Sequence, residues 1–210
     1  MSLSVAVLLN QSVRGRSAFR AIFFLPSLIP VVASSMIWLW ILNGNFGLLN
    51  HALKSIGIAH PPQWLADPAW TKPSLILMSL WGVGHAMVIY LAALQDVPRS
   101  LYESADLDGA GAWSRFRHVT LPMISPVIYF NLIMGIIGSL QVFSQAFIML
   151  GGGGPQRSAL FYAVYLYLNA FEYRQMGYAC AMAWVLFLII LFLTWVATRS
   201  TRKLVYYAAE

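Results

Sequence analysis

The residue types and spacing best suited to a chemical role lie in residues 96–122, where seven formal charges are concentrated. Two carboxylates, Glu103 and Asp108, stand among small residues such as Ala105 and Gly109. Small side chains let another backbone approach closely, and carboxylates can pair with arginines of a partner. The segment therefore predicts a protein-docking surface rather than a catalytic centre.

The same segment has the local signals of two short helices. Ser100 followed by Glu103 fits a capping box that begins a helix. Gly109 suits the left-handed position that ends one. Trp113 and Phe116, three residues apart, form an apolar pair on a second helix. The predicted structure is a helix–glycine–helix elbow.

The composition around this elbow is that of a membrane protein. Of the 210 residues 60% are hydrophobic and only 10% are charged, whereas soluble domains carry about 25% charged residues. Buried helices of a large soluble protein would need a larger core than this chain can build. The net charge of +6 does not indicate nucleic-acid binding, because the basic residues lie between apolar runs instead of forming a patch.

Nothing in the sequence indicates catalysis or a bound metal or cofactor. Cys180 is the single cysteine and lies in an apolar run. No metal-ligand cluster and no glycine-rich nucleotide loop is present. We therefore expect a protein that is not an enzyme.

Four charge-free runs are long enough to cross a bilayer, which takes about 20 residues of helix. They are residues 21–42, 74–95, 123–150 and 178–198. The prediction is an all-α integral membrane protein forming one transmembrane domain over residues 1–210, with four full transmembrane helices. Pro26 and Pro30 are expected to kink the first of these helices.

Basic residues predict the orientation. Nine lie on one side of the predicted spans and four on the other, and the richer side faces the cytoplasm. The nine are Arg14, Arg16, Arg20, Arg99, Arg115, Arg117, Arg199, Arg202 and Lys203, and the four are Lys54, Lys72, Arg157 and Arg174. The elbow and the C-terminus are then cytoplasmic. Residues 1–13 are too short to span and predict a partial helix, which is either the second half of a span or a half-helix in the interface.

The elbow also resembles a known signature. The pattern Glu103-Ser104-Ala105, Asp108-Gly109-Ala110 and Leu121-Pro122 resembles the EAA signature of binding-protein-dependent ABC importer permeases. Ser104 departs from the family's second triplet residue, but it is also small.

This resemblance implies that the elbow is the coupling helix that docks on an ATPase subunit. ATP and Mg²⁺ would be used by that ATP-binding subunit, so this chain would hold no cofactor. The other implied partners are a second permease subunit of the same or a related chain and an extracytoplasmic solute-binding protein. The implied location is the cytoplasmic (inner) membrane, and the chain would be an N-terminally truncated version of a six-helix permease. An interfacial elbow without a partner is the alternative, although acids do not suit an anionic leaflet.

Softer features are similar to carbohydrate importers of the maltose and glycerol-phosphate type. They are residues 44–50, 64–67, 152–155 and 165–181. Amino-acid, polyamine and ion importers stay open as alternatives. Asn50 and Trp64 can also be read as mere interface anchors.

Polar residues of the third span are candidates for a solute pathway. Helical spacing along one face is shared by Asn131, Gly135, Gly138, Val142 and Gln145. Gln141 and Gln145 are four residues apart, and neutral amides suit sugar hydroxyls. Tyr129 could stack on a sugar ring, as could Phe143 and Phe147. The alternative is that such residues only hold helices together. A secondary transporter or membrane enzyme would need ionisable residues within the bilayer, and the spans hold none except His85, which we expect to be a hydrogen-bonded structural residue.

Overall fold

The computed structural model describes residues 1–11, 14–201 and 205. Val13, at the end of the predicted partial helix, and Arg202 and Lys203 of the charge count lie outside the described residues. Within the described residues the chain is helical and contains no strand. The helices are α1 (Ser2–Asn10), α2 (Arg16–Phe24), α3 (Val31–Ile41), α4 (Leu48–Ser55), α5 (Pro68–Trp81), α6 (Gly84–Asp96), α7 (Arg99–Leu107), α8 (Ala112–Arg115), α9 (Leu121–Met123), α10 (Ser125–Leu140), α11 (Ser144–Leu150), α12 (Tyr162–Tyr167) and α13 (Met176–Thr201).

Length and composition give two to four candidate membrane spans among the described residues. Ser125–Leu150 and Met176–Thr201 qualify directly. Two further pairs qualify if each bent pair counts as one span, namely Arg16–Leu28 with Val31–Ile41 and Pro68–Trp81 with Gly84–Asp96. The four apolar runs of the sequence are therefore present as helices, but only α13 is uninterrupted.

Prolines explain the break in the first run. Pro26 lies in a 3₁₀ turn, Leu25–Leu28, and Pro30 is the N-cap residue of α3. Proline has no N–H and disfavours helical backbone in the residue before it. The predicted kink at these two prolines is confirmed.

The chain divides into two units. The first contains Met1–Ser27, Val83–Ile136 and Phe192–Glu210. Its core joins α1 to α6: Ala6 and Leu9 pack with Met87 and Leu91, and all four side chains are buried. His85 lies off this buried face. It is exposed and makes no side-chain hydrogen bond to another described residue, so the prediction of a hydrogen-bonded structural histidine is wrong.

The second unit contains Leu28–Gly82 and Ile137–Leu191. One buried cluster brings together three side chains. They are Leu42, which directly follows α3, Met78 of α5 and Met149 of α11. A second cluster joins α11 to α12 through Ala146 and Val164. Both clusters hold the C-terminal part of the third apolar run in place.

Candidate functional site

Helix α7 ends in a fully hydrogen-bonded glycine turn. The N–H of Ala110 donates to the carbonyl of Ala105 at 2.9 Å, and the N–H of Gly109 donates to that of Asp106 at 3.1 Å. These are the two bonds of a Schellman motif. Gly109 has φ +74°, the left-handed conformation that the motif requires. The predicted glycine turn is confirmed.

The predicted capping box is wrong. The helix begins two residues earlier than expected, at Arg99, with Pro98 as N-cap and without a side-chain cap. Proline fixes a φ that suits a helix start, but its side chain has no oxygen that could cap the first N–H groups. Ser100 is therefore inside the first turn, where its carbonyl accepts a 2.9 Å bond from the hydroxyl of Ser104.

The exposed side chains of the elbow include both acids and large apolar residues. Glu103 and Asp108 are exposed and form no ion pair with another described residue. Leu107 is 90% exposed and Trp113 is 72% exposed. Trp113 stacks on Phe116 with ring centroids 5.8 Å apart, which confirms the predicted apolar pair.

Beyond the turn, the second arm is helical but irregular. Helix α8 passes into a π-helical turn, Phe116–Thr120, and then into α9. Such wider turns are frequent at functional sites. Leu121 and Pro122 of the signature are the first two residues of α9, and Leu121 is partly exposed.

Two side-chain bonds tie the arms together, and the sequence patterns did not indicate either. Asp106 on α7 forms a salt bridge with Arg115 on α8. The hydroxyls of Tyr102 and Thr120, 18 residues apart, are 2.9 Å apart. The opposite charges of Asp106 and Arg115 were a usable signal, but local spacing gives no signal for the tyrosine–threonine bond.

Two of the predicted pathway residues already have partners within the first unit. The Tyr129 hydroxyl is 2.7 Å from the hydroxyl of Thr198 on α13. The amide of Asn131 donates to the carbonyl of Val127, one turn earlier in its own helix, at 2.9 Å. For Tyr129 this contact matches the alternative of a residue that holds two helices together.

The other two pathway residues, Gln141 and Gln145, border a break in the membrane run. Helical structure stops at Leu140 and resumes at Ser144, and Phe143 has the non-helical angles φ −133° and ψ −67°. The prediction of one continuous helical face from Asn131 to Gln145 is therefore wrong. Within a bilayer, irregular backbone is tolerated only where protein or a water-filled cavity surrounds it.

Next to this break lies a row of aromatic rings. Tyr167 is 5.0 Å from both Phe143 and Phe147, between ring centroids, and 4.9 Å from Phe171. Gln145 is half-buried. Neither its side-chain amide nor that of Gln141 forms a hydrogen bond with another described residue. The break thus places free amides and aromatic rings in the same part of the second unit.

Asn50 is a structural residue and not an interface anchor. Its side chain is 1% exposed and donates to the carbonyls of Gly44, at 2.8 Å, and Pro62, at 3.2 Å. Its Oδ1 accepts the indole N–H of Trp64 at 2.6 Å. The alternative reading of Asn50 as a mere interface anchor is not supported, because its satisfied buried amide holds a loop together.

Comparison with protein families matches residues 1–206 to the family described as "Binding-protein-dependent transport system inner membrane component". The chain belongs to this family. It is a membrane-spanning permease subunit of an ABC importer, which is a transport component and not itself a catalyst. The resemblance found in the elbow is confirmed.

Individual relatives agree with the family. The permease is 39% identical over 211 residues to "Probable ABC transporter permease protein YesP" of Bacillus subtilis (strain 168), covering 100% of this chain and 68% of the relative. It is 36% identical over 208 residues to "Lactose transport system permease protein LacF" of Rhizobium radiobacter, covering 97% of this chain and 70% of that protein.

A solved structure has the same fold. A chain of the bacterial alginate ABC transporter, in complex with an alginate pentasaccharide-bound periplasmic protein, superposes with a TM-score of 0.87. The two chains are 26% identical, and the match covers 96% of this permease and 71% of that chain.

No group of three histidine, cysteine or acidic residues that could hold a metal occurs in the part of the permease that is described.

Proposed function

We propose that this permease carries a sugar across the cytoplasmic membrane. We also propose that the elbow within residues 96–122 transmits the conformational changes of an ATP-binding subunit to the membrane helices. The elbow carries the proposal, because it presents unpaired acids beside exposed apolar side chains on a hydrogen-bonded turn. The sugar assignment draws on the lactose and alginate transporters among its relatives.

The proposed coupling surface consists of Glu103, Ser104, Ala105, Asp108, Gly109, Ala110, Leu121 and Pro122. Glu103 and Asp108 have no partner among the described residues, so both can pair with arginines of an ATPase. Leu107, exposed beside them, supplies apolar area that would be buried on docking. An anionic membrane surface would not favour these acids.

The proposed solute contacts are Gln141 and Gln145, with Phe143 and Phe147 as stacking surfaces. Free neutral amides donate to and accept from sugar hydroxyls without a fixed charge. The backbone breaks at the same place, and within a bilayer irregular backbone is tolerated only where protein or a water-filled cavity surrounds it. Tyr129 and Asn131 are proposed pathway residues with less support, since each already has a hydrogen-bond partner.

The proposed assembly contains an ATP-binding subunit that uses ATP and Mg²⁺, a second permease subunit and an extracytoplasmic binding protein. A permease relative solved with its sugar-loaded periplasmic protein supports the last of these. The charge count supports a cytoplasmic elbow and C-terminus and an inner-membrane location.

The test combines capture of the ATPase with solute uptake. Glu103→Lys is expected to abolish co-purification of the ATP-binding subunit and ATP-driven uptake, while membrane insertion stays normal. Glu172→Lys is the matched control, because Glu172 is also exposed and unpaired but lies outside the elbow. Normal uptake by the Glu103→Lys complex would exclude the coupling role.

The sugar assignment has its own measurement. Cells or proteoliposomes with the complete complex are given radiolabelled lactose and maltose, and in parallel labelled histidine and spermidine. ATP-dependent accumulation of a sugar supports the proposal. Accumulation of only histidine or spermidine would assign the permease to another solute class.

A further inference from the structure

We infer that Tyr102, Asp106, Arg115 and Thr120 are positioning residues that make the two arms of the elbow move as one piece. This inference rests on the proposed coupling role of the elbow. It identifies the side chains that transmit a movement of α7 to α10, the helix that enters the membrane.

Apart from the two hydrogen bonds of the glycine turn, little stiffens the backbone between the two arms. Gly109 and Gly111 are two residues apart, and a Cβ placed on either would have no neighbour within 4 Å. Glycine is the residue with the most backbone freedom. A force on α7 would therefore bend the connection unless other contacts joined the arms.

Two side-chain links span this flexible connection. The Asp106–Arg115 salt bridge joins the last turn of α7 to the end of α8. The Tyr102–Thr120 bond joins the first half of α7 to the end of the π-helical turn. Because the links attach at two separate points along each arm, they oppose rotation of one arm against the other.

The tyrosine link also reaches the membrane part of the first unit. Thr120 is 7% exposed, and its neighbour Val119 packs with Tyr102 against the core formed by α1 and α6. Thr120 directly precedes α9, which leads through Ile124 into α10. A displacement of α7 therefore has a continuous packed route to the start of α10.

An exposed ion pair and a single hydroxyl bond contribute little to overall stability. This weakness makes the inference testable, because removing either link should leave the permease folded and still able to hold its ATPase. Coupling between distant sites, by contrast, responds to changes along a packed route by about 2- to 30-fold.

The test measures how accessible a position on the membrane helix α10 is, and it does not require the solute to be known. Met134 is exposed on α10 and is replaced by cysteine in a Cys180→Ser background, and the rate of its modification by fluorescein maleimide is measured in the complex with the ATP-binding subunit. The ratio of rates with and without ATP plus vanadate reports how far the nucleotide state reaches α10.

We expect Thr120→Val, Tyr102→Phe and Asp106→Asn to lower this ratio by about 3-fold or more while the ATPase still co-purifies. Thr120→Ser keeps the hydroxyl and should restore the ratio. Combining Tyr102→Phe with Thr120→Val should cost no more than either change alone. Exchanging the charges, with Asp106→Arg and Arg115→Asp together, should recover part of the ratio lost in Asp106→Asn.

Ser114→Ala and Arg117→Gln are the matched controls. Among the described residues, the Ser114 hydroxyl hydrogen-bonds only to His118 of its own arm, and Arg117 forms no ion pair. If these controls lower the ratio as much as the link variants, or if the link variants leave it unchanged, the inference is wrong. If the unmodified elbow gives no nucleotide-dependent ratio, or if Glu103→Lys leaves the ratio intact, the coupling role itself fails.

Discussion

Trp64 donates its indole N–H to Oδ1 of Asn50 over 2.6 Å, and the same amide binds the carbonyls of Gly44 and Pro62. One buried side chain thus closes a loop by joining three points spread over 20 residues. Trp64 also packs edge-on against Trp70 at 5.0 Å, so the loop is fixed by both polar and aromatic contacts. This rigidity suits a segment that connects two membrane helices.

Replacing Asn50 by alanine should destabilise the permease strongly. The change leaves the indole N–H and two carbonyls without their buried partner, at about 1–3 kcal/mol for each group that water cannot reach. The midpoint of thermal unfolding of the detergent-solubilised complex is the measurement. Asn45→Ala is the control, because Asn45 is exposed in the same loop and its side chain has no partner among the described residues. Equal midpoints for the two variants would contradict the structural role of Asn50.

Alanine at Gly109 should impair coupling, whereas alanine at Gly111 should not. The left-handed φ of +74° at Gly109 costs a residue with a Cβ about 1–2 kcal/mol, while Gly111 has an ordinary φ of −67°. Neither Cβ would meet an atom within 4 Å, so the pair differs in backbone strain alone. Co-purification of the ATPase and ATP-driven uptake are measured for both. A normal Gly109→Ala complex would show that the turn is not needed.

The sequence was informative where local rules decide the structure. The glycine turn at Gly109, the proline break near Pro30 and the continuous helix α13 all follow from backbone preferences or apolar length. The elbow could therefore be located from residues 96–122 alone, together with its exposed acids.

Tertiary contacts could not be predicted from the sequence. The break at Gln141–Phe143 contains neither proline nor glycine, so hydropathy describes the third run as one span. The Tyr102–Thr120 bond connects residues 18 positions apart, and no local period predicts it. The partner in this bond is distant in the sequence, as is Tyr167, which contacts Phe143 at the break, and composition and spacing do not describe such contacts.

Gly84 and Gly82, which flank the break between α5 and α6, should respond differently to alanine. A Cβ on Gly84 would collide with the carbonyl oxygen of Phe23 and lie 2.8 Å from the Cα of Phe24, and backbone atoms cannot move aside cheaply. On Gly82 it would have only one neighbour, the carbonyl of Ser79 at 3.7 Å. Gly84→Ala should therefore lose about 1–3 kcal/mol by overpacking, visible as a lower yield and unfolding midpoint. Equal behaviour of the two variants would mean that α2 does not approach α6 this closely.

Gln145→Leu should weaken the apparent affinity for the imported sugar without changing assembly. Loss of one neutral hydrogen bond of about 0.5–1.5 kcal/mol raises the half-saturating concentration roughly 2- to 12-fold. Tyr129→Phe should act differently: it keeps the aromatic ring and removes only the exposed bond to Thr198, so it lowers the unfolding midpoint slightly and leaves the half-saturating concentration unchanged.

The measurement is uptake of the sugar identified in the lactose and maltose panel, as a function of its concentration. Gln175→Leu is the matched control, because Gln175 is exposed and its side chain has no partner among the described residues. Unchanged half-saturation in Gln145→Leu would remove Gln145 from the pathway. A change as large in Tyr129→Phe would instead place the hydroxyl of Tyr129 on the sugar, which would mean that its bond to Thr198 gives way during transport.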